Sequence, residues 1–278
     1  MVDLKDFKKS KDFLICVDSD GCAMDTMDIK HFKCFGPCMV TEWKLEQWKD
    51  EILERWNEIN LYTMTRGINR FLGLAMALSE INEKYCKIEG IEEFVQWTKN
   101  AKELSNTSVK QMMAESENPM FNKALLWSLE VNKGINELKD YEKKPFEGAK
   151  EGLAELHKKA DIAVVSSANK EAVIEEWNLW GLSGDVDVLC CQDAGTKKEC
   201  IAALKKQNYE PGHILMVGDA VGDKQAAESN GVYYYPILVK HEAESWKELV
   251  ETALDKFTAL DFKEYEIEKK KQFEENLK

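Results

Sequence analysis

Five short apolar runs constrain the fold of this chain more than any other feature. The first is Phe13-Leu14-Ile15-Cys16-Val17, with charge before it and Asp18-Ser19-Asp20-Gly21 after it. The others come late and close together, at Ile162 to Val165, Val186 to Cys191, His213 to Val217 and Val232 to Val239. Runs this short, apolar throughout and rich in β-branched residues, suit strands buried on both faces of a parallel sheet. Helical patterns separate the late runs, for example over Glu171 to Trp177 and Glu199 to Lys206. Strands alternating with helices imply βαβ units, and so an α/β fold with a Rossmann-like parallel sheet.

The first run is separated from the rest by a long stretch without any strand pattern. There Trp48, Ile52, Trp56 and Ile59 recur at helical spacing, as do Ile68, Phe71, Leu72, Ala75, Leu78 and Ile81. Further helical stretches cover Ile91 to Leu104 and Pro119 to Leu138, the second with proline in its first turn. The reading is an all-α module inserted after the first strand, with a core of 1–28 and 143–278 and a helical insertion of 29–142. Five of the eight tryptophans fall in the insertion. Packing between helices is the ordinary use of such rings, and lining a pocket is the alternative. Phe262 to Lys278 is mostly Glu and Lys and reads as a solvated helix or a frayed tail.

Charge narrows the partners. With 38 basic and 51 acidic residues the formal net charge is −13, which argues against nucleic acid or an anionic membrane. No apolar stretch reaches spanning length and no signal-peptide pattern opens the chain, so a cytoplasmic protein is expected. The eight cysteines match no disulfide framework. His31, Cys34 and Cys38 lie close in sequence, but no second ligand pair accompanies them, and reduced thiols are a better reading than zinc.

In an open parallel sheet, ligands bind beyond the carboxyl ends of the strands. The polar residues that end each run therefore belong together. They are Asp18-Ser19-Asp20-Gly21, Ser166-Ser167-Ala168-Asn169, Gly195-Thr196-Lys197-Lys198 and Gly218-Asp219-Ala220-Val221-Gly222-Asp223. Taken singly, each is an ordinary turn or helix cap. Taken together they bring four carboxylates, a hydroxyl and an ammonium to one sheet edge. Clustered carboxylates call for a hard divalent cation, and oxygen ligands beside a phosphate point to Mg²⁺. The lysine, the hydroxyl and helix N-termini near Ser167 and Lys198 suit phosphate oxygens.

These segments resemble the haloacid dehalogenase (HAD) superfamily, in its phosphatase branch with an α-helical C1 cap. The run Phe13 to Val17 with Asp18-Ser19-Asp20-Gly21 matches its DxDG motif, and Ile162 to Val165 with Ser166 its second motif. Lys197, four residues before Ile201, matches the third, and Gly218-Asp219 with Asp223 the fourth. Asp25-Thr26 and the turn Pro145-Phe146-Glu147-Gly148 also follow the family's habit. The resemblance covers about 1–28 and 143–240. Cys22 departs from it, standing where Thr or Val is usual, and Lys198 is a rival to Lys197.

The resemblance implies a Mg²⁺-dependent phosphomonoester hydrolase acting on a small phosphorylated metabolite. Asp18 would be the nucleophile and Asp20 the general acid and base. Ser166 and Lys197 would bind the phosphoryl group. Asp18, Asp219, Asp223 and the Asp20 carbonyl would hold the metal. The acid at Asp20 disfavours the dehalogenase and phosphonatase branches, which lack it. The helical insertion would be a cap that reads the leaving group. All three arginines, Arg55, Arg66 and Arg70, lie in it. Arg66 and Arg70, read as sharing one helix face, are candidates to bind a second anionic group, with salt bridges to surface Glu as the alternative. A sugar phosphomutase shares the same core residues, and a non-catalytic phosphate-binding module is a further alternative. The oligomeric state is left open by the sequence.

Overall fold

The apolar runs form strands because each is flanked by charge or turn residues and has no polar face to turn toward water. In the computed structural model, which describes residues 1–278, the strands in chain order are β1 Val2–Asp3, β2 Phe13–Val17, β3 Met24–Asp25, β4 Lys144–Pro145, β5 Ala160–Val165, β6 Val188–Cys190, β7 Ile214–Gly218 and β8 Tyr233–Pro236. Six of them build one parallel sheet in the order β1-β6-β5-β2-β7-β8, and β3 and β4 pair as a separate antiparallel ribbon. The strand sequence moves outward from β2 in both directions, and this reversal opens a crevice at the carboxyl end of β2. Register then decides what meets there. Val17 stands opposite Val164 on one side and Val217 on the other. The residues just past these strands therefore share one edge.

The chain divides into two units, Met1–Met27 with Asp140–Lys278, and Asp28–Lys139. In the first, Ile15, Val17, Ile162, Val164, Leu215 and Val217 are buried with Trp177 and Trp246 in one apolar core. The second is all helix and has a core of its own. Its longest helix, Pro119–Glu137, begins at the proline noted in the sequence. Four of its five tryptophans, Trp43, Trp56, Trp97 and Trp127, are buried among the helices. Trp127 also donates its indole N–H to the Phe35 carbonyl at 3.0 Å.

Three segments differ from the sequence reading. The charged N-terminus contributes β1, which pairs with β6 at the sheet edge. Two residues carry too little pattern to reveal a strand. The ribbon β3–β4 was hidden for the same reason. The C-terminal stretch is neither frayed nor fully solvated. It forms the helix Lys263–Asn276, with Phe262, Phe273 and Leu277 buried. Glu266 accepts the N–H of Tyr234 on the edge strand β8 at 2.9 Å, and Asn276 pairs with the backbone of Val239. A tail that covers a sheet edge and satisfies its backbone removes a site of unwanted strand pairing. Its few apolar residues, spaced at helical intervals among Glu and Lys, were outweighed by its polarity.

Asp161, inside β5, is buried and accepts hydrogen bonds from the N–H groups of Ser10 and Lys11 and from the hydroxyls of Ser10 and Tyr209. Burial alone would raise its carboxyl, but these donors outweigh burial and hold it below the usual range. The stability it contributes is thus present above the unfolded value of about 3.9 and is lost as pH falls through the lowered native value. Asp161→Ala, which strands these donors, should cost about 2–4 kcal/mol in urea unfolding at pH 7.

Candidate active site

Past the end of β2, the N–H of Asp18 donates to the Val217 carbonyl at 3.0 Å, so the ladder extends one residue and buries the Asp18 side chain. β7 runs directly into Asp219, which is also buried. Asp223 lies in the first turn of the helix Val221–Asn230 and is wholly enclosed. Oxygens of Asp18, Asp219 and Asp223 all lie within 4.8 Å of one another. Lys197 opens the helix Lys197–Lys205, and its Nζ lies 2.7 Å from Asp18 Oδ2 and 2.6 Å from Asp223 Oδ1. Lys198 is exposed, so Lys197 is the lysine at the cluster.

Asp223 serves two structures at once. One oxygen accepts the N–H of Ala220 at 3.1 Å and closes the first helical turn, while the other accepts from Lys197. This close seating requires glycine at 218, where a Cβ would fall 2.3 Å from Asp223 Cγ.

Burial raises the Asp18 carboxyl well above the usual carboxylate range, and although Lys197 pulls it down, Asp223 and Asp219 push it further up. Burial works against the charge of Lys197 too, but Asp18 and Asp223 hold its proton and move it upward. One ammonium against three carboxylates leaves an excess of negative charge in a poorly hydrated place. The donors are oxygens only, without imidazole or thiolate. Such a set suits a hard dication, of which Mg²⁺ is one that oxygen ligands favour.

Asp20 is set apart from this trio. Of the four carboxylates read at this edge, three have oxygens within 4.8 Å of one another, and the fourth, Asp20, accepts a hydrogen bond from Thr26. Gly21, at φ +82°, turns the chain back so that its N–H meets the Met24 carbonyl. Thr26 then donates its hydroxyl to Asp20 Oδ1 at 2.5 Å. Ser166 follows β5 and is buried, and its Oγ accepts the Ala168 N–H at 3.2 Å. The helix beyond it begins at Lys170, capped by Asn169, rather than near Ser167. The loop after β2 is held by two indoles that sequence reasoning did not assign. Trp177 donates to Ser19 Oγ and Trp246 to the Cys22 carbonyl, each at 2.9 Å. Trp177 sits in a helical pattern that gave no sign of a polar partner, and Trp246 lies in the helix Glu242–Glu248, for which the sequence reading assigned no element. Cys22 is fully buried, and burial pushes its thiol up, which makes it a packing residue beneath the carboxylates.

The helical unit carries the arginines. Arg66 and Arg70 do not share a helix, because Arg66 lies in a turn and the helix Arg70–Lys84 starts after the extended cap residue Asn69. Arg66 is buried, donates to the Leu61 carbonyl at 2.8 Å and lies 3.9 Å from Asp28. Arg55 makes the surface pairs, with Glu58 and Glu80. Arg70 donates to Ser128 Oγ and Asn132 Oδ1 at 3.0 and 2.7 Å. His31, read with Cys34 and Cys38, accepts the Trp56 indole N–H on Nδ1 instead, at 3.0 Å.

A family model for haloacid dehalogenase-like hydrolases matches residues 76–236. The chain belongs to this family. Within this haloacid dehalogenase-like hydrolase the matched span takes in Ser166, Lys197, Asp219 and Asp223, while Asp18 and Asp20 lie upstream of it. Solved structures agree on the fold. A haloacid dehalogenase-like family hydrolase from Streptococcus pneumoniae is similar at 14% identity and a TM-score of 0.51, over 81% of this chain and 83% of that one. A candidate phosphoglycolate phosphatase from Lactobacillus delbrueckii is similar at 17% identity and a TM-score of 0.50, over 82% and 86%. No curated protein matches the sequence. No helix is long and apolar enough to cross a membrane.

If the carboxylate trio holds Mg²⁺, saturating ion should raise the melting temperature of this hydrolase, since a ligand at one hundred times its Kd adds about 2.7 kcal/mol. Asp219→Asn should remove most of that shift, and so should Gly218→Ala by displacing Asp223. A shift equal to that of the wild type in both variants would put the ion elsewhere.

Proposed function

We propose that the protein is a Mg²⁺-dependent phosphomonoester hydrolase acting on a small phosphorylated metabolite through an aspartyl-phosphate. The observation that carries this reading is the pairing of two carboxylates in different surroundings. Asp18 is buried against Lys197 at the strand end. Asp20, two residues on, is held apart by Thr26. Two carboxyl groups with separate environments can take separate parts in one reaction.

In this mechanism a carboxylate oxygen of Asp18 attacks phosphorus in line, and the bond from phosphorus to the ester oxygen breaks. Asp20 gives its proton to the departing oxygen. It then takes a proton from the water that attacks the aspartyl-phosphate, which frees phosphate and restores Asp18. Lys197 neutralises charge on the phosphoryl oxygens, and the hydroxyl of Ser166 donates to them. Asp18, Asp219 and Asp223 would hold Mg²⁺ together with the Asp20 carbonyl. The ion would offset phosphoryl charge and orient the group for attack. The Thr26 hydroxyl, which donates to Asp20 Oδ1, fixes the orientation of the Asp20 carboxyl, while the Asp20 carbonyl is left for the metal. The eight free cysteines suit a reducing cytoplasmic setting.

Phosphate release from a panel of phosphorylated metabolites, with Mg²⁺ or with EDTA, tests this reading. Release by the wild type should require Mg²⁺. Asp18→Asn should lower kcat by roughly 10³-fold or more, and Asp20→Asn by about 10²- to 10⁴-fold. Isomerised product without free phosphate would mark a mutase instead, and undiminished release by Asp18→Asn would overturn the assignment.

A further inference from the structure

Arg70 differs from the other two arginines in having no acidic partner. Arg55 faces Glu58 and Glu80, and Arg66 faces Asp28. The hydrogen-bond partners of Arg70 are the neutral groups Ser128 and Asn132, and all these bonds use Nη1 alone. Its guanidinium lies over the Phe35 ring, 5.1 Å from the centroid, which shields one side from water. The surrounding polar groups are neutral too: Ser128 in turn donates to Asn106 Oδ1 at 2.7 Å. Burial, with no acid to oppose it, lowers the guanidinium to about 10.

A partly buried cation without a counter-charge carries a desolvation cost, and costs of this kind are usually met by pairing. The placement of Arg70 makes the omission sharper. It is the first residue of the helix Arg70–Lys84, whose first turn contains no acidic residue. A cation there is opposed by the helix dipole, whereas an anion would be favoured by both. The chain carries 51 acidic residues and places none of them against this arginine. Nε and Nη2 remain available to make the two parallel bonds by which arginine recognises an oxyanion.

We propose that Arg70, oriented by Ser128 and Asn132 and backed by Phe35, is the centre of an oxyanion-binding site in the helical unit. Its ligand is a carboxylate or phosphate group. Two sources share this chemistry, namely a second acidic group on the hydrolase's own substrate and a free small carboxylate acting as an effector. The first source rests on the phosphatase reading given above, and the second does not.

Two measurements on the intact chain separate these cases, each made on the wild type, Arg70→Met and Arg70→Lys. The first is the melting shift caused by malonate in Mg²⁺-free buffer. The second is the ratio of kcat/KM for phosphoglycolate over ethyl phosphate, a pair differing in one carboxylate. The wild type should show a malonate shift that Arg70→Met lacks and Arg70→Lys partly keeps. If the substrate supplies the anion, the kcat/KM ratio should also fall about 10- to 100-fold in Arg70→Met, the worth of one charged hydrogen-bond pair. A malonate shift lost in Arg70→Met with an unchanged ratio assigns the site to a free effector. If neither ester is turned over, the phosphatase reading fails while the malonate arm still tests Arg70. A folded Arg70→Met with the malonate shift and the ratio of the wild type would overturn the proposal.

Discussion

The ammonium of Lys197 lies between two buried carboxylates, and much of the unit built on the parallel sheet is arranged so that it can. Without it Asp18, Asp219 and Asp223 would face one another across a few ångströms with little water to screen them. Lys197 occupies the first position of its helix, where the dipole opposes a cation. Contacts of 2.7 and 2.6 Å to Asp18 and Asp223 compensate. Even so, one positive charge offsets only part of three negative ones. The remainder is the kind of charge that a hard dication offsets.

Strand register brings these groups together, and the loops hold them there. Because β2 pairs in parallel with β5 and β7, Asp18, Ser166 and Asp219 emerge at one edge. Gly218 leaves room for Asp223, and Tyr234 donates its hydroxyl to the Gly218 carbonyl at 3.0 Å from the neighbouring strand. Trp177 and Trp246 fasten the loop after β2 from two different helices. The site is therefore supported mostly by backbone and indole hydrogen bonds, which do not change with pH near neutrality.

Five of the strands, β2, β5, β6, β7 and β8, were legible because each is built on a continuous apolar run. β2 coincides with the run Phe13 to Val17, and β5 extends its run only by Ala160 and Asp161. Lys197, Asp219 and Asp223 were legible because polar residues that end parallel strands converge by topology. What escaped was set by tertiary partners. The C-terminal helix is polar in composition, and its role appears only once Glu266 meets the edge of β8. The hydrogen bond from Thr26 to Asp20 was not legible either, since spacing along the chain does not show which hydroxyl meets a carboxylate. Arg66 and Arg70 looked like helix neighbours, since four residues of separation do not show where a helix starts. The absence of an acid beside Arg70 is a property of space, and no motif records it.

The covalent step gives the most direct test of the central claim. Rapid acid quench during turnover of a ³²P-labelled phosphomonoester, followed by peptide mapping, reports which side chain carries the phosphoryl group. Label on the peptide containing Asp18, absent when Mg²⁺ is chelated, is the expected result. Turnover with no labelled intermediate, or with label on a residue other than Asp18, would contradict the account.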